Sequence, residues 1–151
     1  MGNLKSKLKE ELKESMLARD TLKTSVLRML LSAINYYEIQ KGGAGYEATD
    51  EDILAVVQKE AKQRRDSIEE FKKAGRQELV DKETKELEIL KTYLPKQMGE
   101  EEIKKLVIEV IKETRASNIQ EIGKVMGALM PKIKGKADGG LVSRIVRESL
   151  Q

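Results

Sequence analysis

Large apolar residues recur every three or four positions along almost the whole chain, and this spacing restricts the fold more than any other feature. The first such row is Leu4, Leu8, Leu12 and Met16. Residues four apart lie on one face of an α-helix, so this face is expected to pack against a core. No segment alternates apolar and polar residues over a stretch long enough to predict a β-strand. The sequence therefore predicts an all-α fold.

Capping and stop residues divide the apolar pattern into seven helices. Asp20 and Asp138 are suited to cap the second and the last helix. The run Thr49–Asp52 starts the third helix, because its acidic residues fall where the helix dipole favours negative charge. That helix is expected to end at Gly75 and to place Phe71 on its core face.

The sixth helix carries two local signals. Ser117 and Gln120 have the spacing of a capping box, which predicts the helix start. Pro131 is expected to bend or end the same helix, because its ring removes a backbone donor and crowds the preceding turn.

The segment around Pro95 is the best candidate for a domain boundary. Leu94, Pro95 and Gly99 interrupt the helical pattern, since a helix rarely continues through the residue before a proline. We therefore predict an N-terminal four-helix bundle-like domain over residues 1–94. A small three-helix domain is predicted over residues 95–151.

Missing residue types exclude several kinds of chemistry. The 151 residues include no cysteine, histidine or tryptophan. Disulfides, thiolate nucleophiles and cysteine-based metal sites are therefore excluded, as are a histidine general base and a Ser-His-Asp triad. No catalytic constellation is visible, and we expect no metal and no cofactor.

The carboxylates are numerous but have lysine or arginine nearby. Lys82 adjoins Glu83, and Lys62 precedes Asp66 by four residues. The other acids of these two helices, Glu86 among them, also have lysine or arginine nearby. We interpret these acids as a solvated helix surface with weak ion pairs, each worth a few tenths of a kcal/mol.

The chain also carries no signal for a membrane. No apolar run approaches the roughly 20 residues of a membrane span. The N-terminal segment is rich in lysine and glutamate and lacks an apolar signal core. We therefore expect a cytoplasmic protein that does not contact a membrane.

The C-terminal stretch concentrates positive charge. Residues 123–151 contain six basic residues and two acidic ones, a local net charge of +4 against +3 for the whole chain. Such a patch suits a phosphate backbone, although solvated lysines in a loop between helices would look the same. The candidate nucleic-acid-binding residues are Lys124, Lys132, Lys134, Lys136, Arg144 and Arg147.

Glycines accompany the charge in this stretch. Gly123 and Gly127 are four apart on one helix face, which permits close packing of another helix or close approach of a ligand. Together with Gly135 they form our set of candidate backbone-approach glycines. Aromatics are only 3% of the chain, so stacking platforms for single-stranded bases are scarce. We therefore expect recognition of shape and phosphate backbone rather than base sequence.

These residues resemble a known family. Residues 123–142 read GKVMGALMPKIKGKADGGLV, which is similar to the signature of the GatB/YqeY family. Three upstream segments resemble stand-alone YqeY-type proteins, and the resemblance covers essentially the whole chain. These segments, from positions 19, 62 and 86, read RDTLKTSVLRMLLSAI, KQRRDSIEEFKKAGRQELVDKE and ELEILKTYLPKQM.

The resemblance implies an all-helical fold in two parts. It also implies kinship with the tail of the B subunit of the aspartyl/glutamyl-tRNA amidotransferase, which helps to hold tRNA. A similar module aids tRNA binding in some glutaminyl-tRNA synthetases. The expected partner is therefore tRNA rather than DNA, with an aminoacyl-tRNA synthetase or an amidotransferase as a further partner.

Three functions remain open from the sequence. The first is a tRNA-binding accessory protein that grips structured tRNA through the basic C-terminal loop. The second, implied by the family's naming alone, is an amidotransferase-like carbon–nitrogen ligase with glutamine as amide donor, or a subunit of one. The third is a helical adaptor that binds a protein through the N-terminal bundle.

Overall fold

A computed structural model describes residues 3–151, and over this range it contains helices and connecting loops but no strand. The prediction of an all-α fold is confirmed. The seven α-helices of the described residues are α1 (Asn3–Leu17), α2 (Thr21–Gly42), α3 (Asp50–Lys73), α4 (Gln77–Lys91), α5 (Glu100–Thr114), α6 (Ile122–Ile133) and α7 (Gly139–Leu150). Two short 3₁₀ helices, Gly43–Gly45 and Ile119–Glu121, precede α3 and α6.

The chain divides into two compact units between Leu94 and Pro95. The N-terminal unit contains α1–α4, and the C-terminal unit contains α5–α7. Each unit has its own apolar core. No helix over residues 3–151 combines the length and the hydrophobicity that a bilayer crossing requires.

Helix α2 is the centre of the N-terminal unit, because it contacts α1, α3 and α4. Its residues Leu27, Leu30 and Ile34 are almost completely buried. They share one core with Leu8 of α1 and with Ile53 of α3. Burying a side chain of this size stabilises a fold by about 1.5–3 kcal/mol, so this face of α2 holds the unit together.

The helix ends follow the predicted signals in this unit. The Asp20 carboxylate caps α2 by accepting a hydrogen bond from the backbone N–H of Lys23. Thr49 and Asp52 form a capping box at the start of α3. Gly75 adopts a positive φ of 69° just after α3, a conformation that glycine reaches without steric cost.

The apolar rows are less completely buried than their spacing suggests. Leu8 of the first row is fully buried, whereas Met16 of the same row remains 44% exposed. Its neighbour Ser15 is buried instead and shares a hydrogen bond of 2.8 Å with the Thr24 hydroxyl. Phe71, near the end of α3, is only half-buried.

The prediction of a fully solvated acidic surface is wrong at one place on α4. Glu86 is 4% exposed and forms an ion pair of 3.0 Å with Arg64, which is also buried. Glu83 lies 3.4 Å from the same guanidinium, and burial raises the pKa of the Glu83 carboxyl. Removing one partner would leave a buried charge without compensation, which costs about 3–5 kcal/mol. This pair therefore fixes α3 against α4.

The C-terminal unit is a three-helix core. Ile103 and Val107 of α5 pack with Leu129 of α6 and with Val142 and Ile145 of α7. All five side chains are at most 1% exposed. The opposite faces of α6 and α7 are consequently left to solvent.

The start of α6 differs from the prediction. Asn118, rather than Ser117, supplies the cap, and its side chain accepts from the Gln120 backbone N–H. The carboxylate that points back towards the helix start is that of Glu121, which accepts hydrogen bonds from the backbone N–H and the hydroxyl of Ser117. The 3₁₀ turn Ile119–Glu121 shifts the capping pattern by one residue, so the helix begins at Ile122.

Pro131 lies inside α6, which continues to Ile133. A proline has no N–H to donate to the carbonyl four residues earlier, and that carbonyl belongs to Gly127. Gly127 is exposed, so water can satisfy the carbonyl and the helix tolerates the proline. The helix therefore continues two residues beyond Pro131 instead of ending there, and the alternative, that the proline bends it, stays a prediction.

The start of α3 makes the N-terminal unit sensitive to acid. The Asp52 carboxylate accepts hydrogen bonds from the hydroxyls of Tyr46 and Tyr37 and from the backbone N–H of Thr49. The hydrogen bond from Tyr46 is the main reason that the pKa of Asp52 lies well below its usual range. The ionised form is therefore favoured by folding, and its stabilisation is lost as pH falls from the unfolded pKa of about 3.9 towards the folded value.

We predict that Asp52→Asn flattens this acid dependence. Between about pH 5 and pH 2 the melting temperature of the wild type should fall more than that of the variant, because only the wild type has this carboxylate to protonate. Thermal unfolding followed by circular dichroism over a pH series measures the difference. Parallel curves for the two proteins would contradict the assignment.

Candidate nucleic-acid interface

The six predicted basic residues are all exposed on the C-terminal unit, but they fall at several places. Lys124 lies in the first turn of α6 and Lys132 in its last turn. The turn between α6 and α7 carries Lys134 and Lys136, and the outer face of α7 carries Arg144 and Arg147.

Some of these cations already have a carboxylate beside them. The Lys132 ammonium lies 3.3 Å from Glu113 of α5. The Arg144 guanidinium lies 3.1 Å from Glu100 and 3.5 Å from Glu148. Exposed pairs contribute only about 0–1 kcal/mol, so a phosphate can replace the carboxylate at small cost.

The remaining cations differ in their surroundings. Among residues 3–151, no carboxylate lies within ion-pair distance of Lys124, Lys136 or Arg147. Lys124 is close enough to Glu121 to help lower the pKa of that carboxyl, although the main cause is the hydrogen bond from the Ser117 backbone. The negative Glu121 therefore occupies the beginning of α6, and an incoming anion would be favoured further along the helix.

Lys132 and Lys136 line a groove of about 420 Å³ on the C-terminal unit. A third lysine, Lys96, lines the same groove together with Gln97 and Glu102. Two hydrogen bonds bring the Lys96 segment to this position. The Met98 N–H donates to the Lys136 carbonyl at 2.8 Å, and the Gln97 amide donates to the Gly135 carbonyl at 3.0 Å.

Sequence reasoning missed Lys96, because nothing local to it signals the groove. It precedes the basic stretch by more than 25 residues. Only the pairing of the segment 95–98 with the turn after α6 makes it a neighbour of Lys132.

Gly135 serves the fold of this turn. It is buried and has a φ of 77°, which a residue with a side chain adopts only under strain. An added Cβ would lie 3.7 Å from Pro95 Cγ. The group that approaches Gly135 is therefore the Pro95 side chain of the same unit.

Gly123 and Gly127 are different, because they lie exposed on α6. A Cβ added at either position would meet no heavy atom within 4 Å, so neither glycine makes room for another helix of the unit. A glycine inside a helix costs about 1 kcal/mol relative to alanine. The two residues therefore leave a strip of bare backbone that packing within the unit does not explain; we call this the glycine strip.

The glycine strip leads to a test on stability. We predict that Gly123→Ala and Gly127→Ala each stabilise the C-terminal unit by up to about 1 kcal/mol, because alanine is the better helix former and has room at both sites. The change is measured by urea denaturation, in which the NMR amide signals of α5–α7 report unfolding of the unit.

Gly135→Ala is the matched control. It should destabilise the same unit, because alanine is strained at a positive φ. A loss of stability in the Gly123→Ala and Gly127→Ala variants would contradict the open surroundings of the glycine strip.

Comparison with known proteins finds a matching family and several similar proteins. The family model described as Yqey-like protein matches residues 5–150. The protein named "Altered inheritance of mitochondria protein 41, mitochondrial" of Lachancea thermotolerans is 40% identical over 114 residues. Its counterpart in Clavispora lusitaniae is 36% identical over 119 residues, and that of Saccharomyces cerevisiae is 32% identical over 129 residues.

These matches cover the relatives incompletely. The alignment spans 74% of this chain and 59% of the Lachancea protein. For the Clavispora and Saccharomyces proteins it spans 78% and 82% of this chain and 68% and 69% of the relative. The names of these relatives place them in mitochondria, and a cytoplasmic location for the present chain stays a prediction.

Proposed function

The chain belongs to the Yqey-like protein family, and from this premise we propose that it is a tRNA-binding accessory protein. It grips structured tRNA by backbone and shape through the C-terminal unit. The similarity of residues 123–142 to the tail of the amidotransferase B subunit supports tRNA as the nucleic acid. An aminoacyl-tRNA synthetase or an amidotransferase would then act on the tRNA that it holds.

The glycine strip is the observation that carries this proposal. Gly123 and Gly127 weaken α6 without making room for any part of their own unit. A bare helix face lets another backbone come closer than side chains would allow. Lys124 directly follows Gly123 on the exposed side of the same helix, so a sugar–phosphate backbone fits this face by shape and by charge.

The carbonyl of Gly127 favours RNA over DNA in this arrangement. It receives no hydrogen bond from position 131, because that residue is Pro131. A ribose 2′-hydroxyl is a donor that RNA has and DNA lacks. Such a hydroxyl would satisfy the carbonyl as the RNA backbone passes over the glycine strip.

The lysine groove supplies the electrostatic part of the proposed site. Lys96, Lys132 and Lys136 line it, and each phosphate that a lysine neutralises releases counterions. The small number of aromatic side chains supports contact with backbone and shape rather than stacking of bases.

Double substitution of Lys132 and Lys136 by Gln tests the charge contribution. We predict weaker tRNA binding. The slope of log binding constant against log salt concentration should be smaller in magnitude by about two, because each lost phosphate contact lowers it by about one. Fluorescence anisotropy of labelled tRNA, titrated across salt concentrations, measures both quantities. The matched control replaces Lys72 and Lys73, which are exposed near the end of α3, and should retain the wild-type slope.

Gly127→Gln tests the glycine strip without changing charge. Its side chain should block backbone approach and weaken tRNA binding about tenfold or more, while the helix stays folded because glutamine is a good helix former. Ile108→Gln places the same side chain at an exposed position on α5 and should leave binding unchanged. If both variants bind tRNA like the wild type, the glycine strip is not the contact surface.

Removing the competing carboxylate should have the opposite effect. Glu113 pairs with Lys132. Glu113→Gln therefore frees the Lys132 ammonium and removes a negative charge that would repel the phosphates of the tRNA. We predict severalfold tighter tRNA binding at low salt, measured by the same titration. Weaker binding by this variant would show that Lys132 needs Glu113 to keep its position.

A further inference from the structure

A groove between the end of α1 and the start of α2 is not used by the proposed function. It has a volume of about 690 Å³, and its walls include Met16 and Met29. Both methionines are 44% exposed, and Leu17 beside them is 78% exposed. Methionine side chains adapt to varied apolar partners, so the groove has the character of a docking surface rather than of a closed ligand pocket. We call it the methionine groove.

Two arginines give the methionine groove its charge. Arg19 and Arg28 line it, and no acidic residue does. The Arg28 guanidinium contacts the Met16 sulfur at 3.3 Å. Over the described residues neither guanidinium has a carboxylate within ion-pair distance, so both remain available to carboxylates on a partner.

Arg19 adopts a backbone conformation that does not suit it. It has a φ of 57°, a left-handed conformation in which its Cβ is crowded by the backbone. Its N–H donates to the Met16 carbonyl, and the next N–H, of Asp20, donates to the Ser15 carbonyl. These two bonds form a Schellman motif, in which glycine is the usual residue at this position.

The end of α3 shows what this chain does where no side chain is required. The same pair of bonds runs from Gly75 to Lys72 and from Arg76 to Phe71, and the left-handed residue is Gly75. Arginine in the equivalent position after α1 is therefore strained without any gain for the turn itself. Strain of this kind is typical of positions whose side chain has a role, and this side chain lines the methionine groove.

The apolar surface continues from the groove along α2. Tyr36 follows Met29 by seven residues, which is two helical turns or about 10 Å on the same face. Tyr36 and the neighbouring Ile39 are also exposed. The surface is thus long enough to receive several turns of a partner helix.

We propose that the methionine groove and the adjoining face of α2 dock an acidic amphipathic helix of a partner protein. Its apolar residues, spaced at three and four positions, would lie on Met16, Met29 and Tyr36. Its carboxylates would pair with Arg19 and Arg28, because charge complementarity sets the orientation and the partner choice. This inference concerns the N-terminal unit and goes beyond the proposed tRNA function.

A peptide selection tests this proposal. The full chain is immobilised, and a displayed library of 18-residue helical peptides is offered, with randomised apolar positions and randomised flanking charges. Enriched peptides should be acidic and amphipathic. They should bind the double variant Arg19→Gly, Arg28→Gln about tenfold or more weakly than the wild type. Enrichment of neutral or basic peptides, no enrichment, or equal binding to the double variant would overturn the proposal.

Arg19→Gly alone separates docking from folding. It should raise the melting temperature of the N-terminal unit by a few degrees, because glycine relieves the left-handed strain, and it should still weaken the selected peptides. Arg115→Gly is the matched control, since Arg115 also has a φ of 57° but ends α5 in the other unit; it should bind the peptides like the wild type. If Arg19→Gly weakens tRNA binding and leaves peptide binding unchanged, the groove contacts nucleic acid and the proposal is wrong.

Discussion

The burial of one apolar stripe on every helix is the constraint on which the rest of the structure depends. With no cysteine in the chain, the two units are held by side-chain packing and by a few buried polar contacts. In the N-terminal unit the inner face of α2 packs with three other helices, and the Arg64–Glu86 pair joins α3 to α4. In the C-terminal unit, α5, α6 and α7 pack their apolar faces against one another in a single core. Because the inner faces of the helices are buried in the cores, any residues that recognise a partner must lie on the outer faces.

Both proposed surfaces lie where an outer face departs from the residue that the local structure prefers. Gly123 and Gly127 occupy positions where alanine would make a better helix and would fit. Arg19 occupies a position where glycine would make a better turn. The departures run in opposite directions: one removes side chains to expose backbone, and the other keeps a side chain at the expense of backbone strain. Real proteins break local rules mainly at functional sites, and the two proposals rest on the departures at Gly123 and Gly127 in one unit and at Arg19 in the other.

Local signals predicted much of the fold but little of the site geometry. The helical period, the Asp20 cap, the Thr49–Asp52 start and the Gly75 stop act within a few residues and could be found from the sequence. The capping box at Ser117 was placed one residue too early, because a 3₁₀ turn precedes α6. The burial of Glu86 depends on Arg64, a residue on another helix. The same holds for Lys96, which joins Lys132 and Lys136 only through the contact of its segment with the turn after α6. Composition located the positive charge but could not show that Lys132 and Arg144 already have carboxylate neighbours.

Amide chemical-shift mapping of the full 17.1 kDa chain during titration with tRNA tests the central claim most directly. The proposed tRNA-binding function predicts that the largest changes fall on Gly123, Gly127, Lys132 and Lys136, with the signals of α2 unmoved. A linear duplex RNA of similar length should produce smaller changes at the same residues. Changes confined to α1–α4, or equal changes with the two RNAs, would contradict the claim that the outer face of α6 recognises structured tRNA.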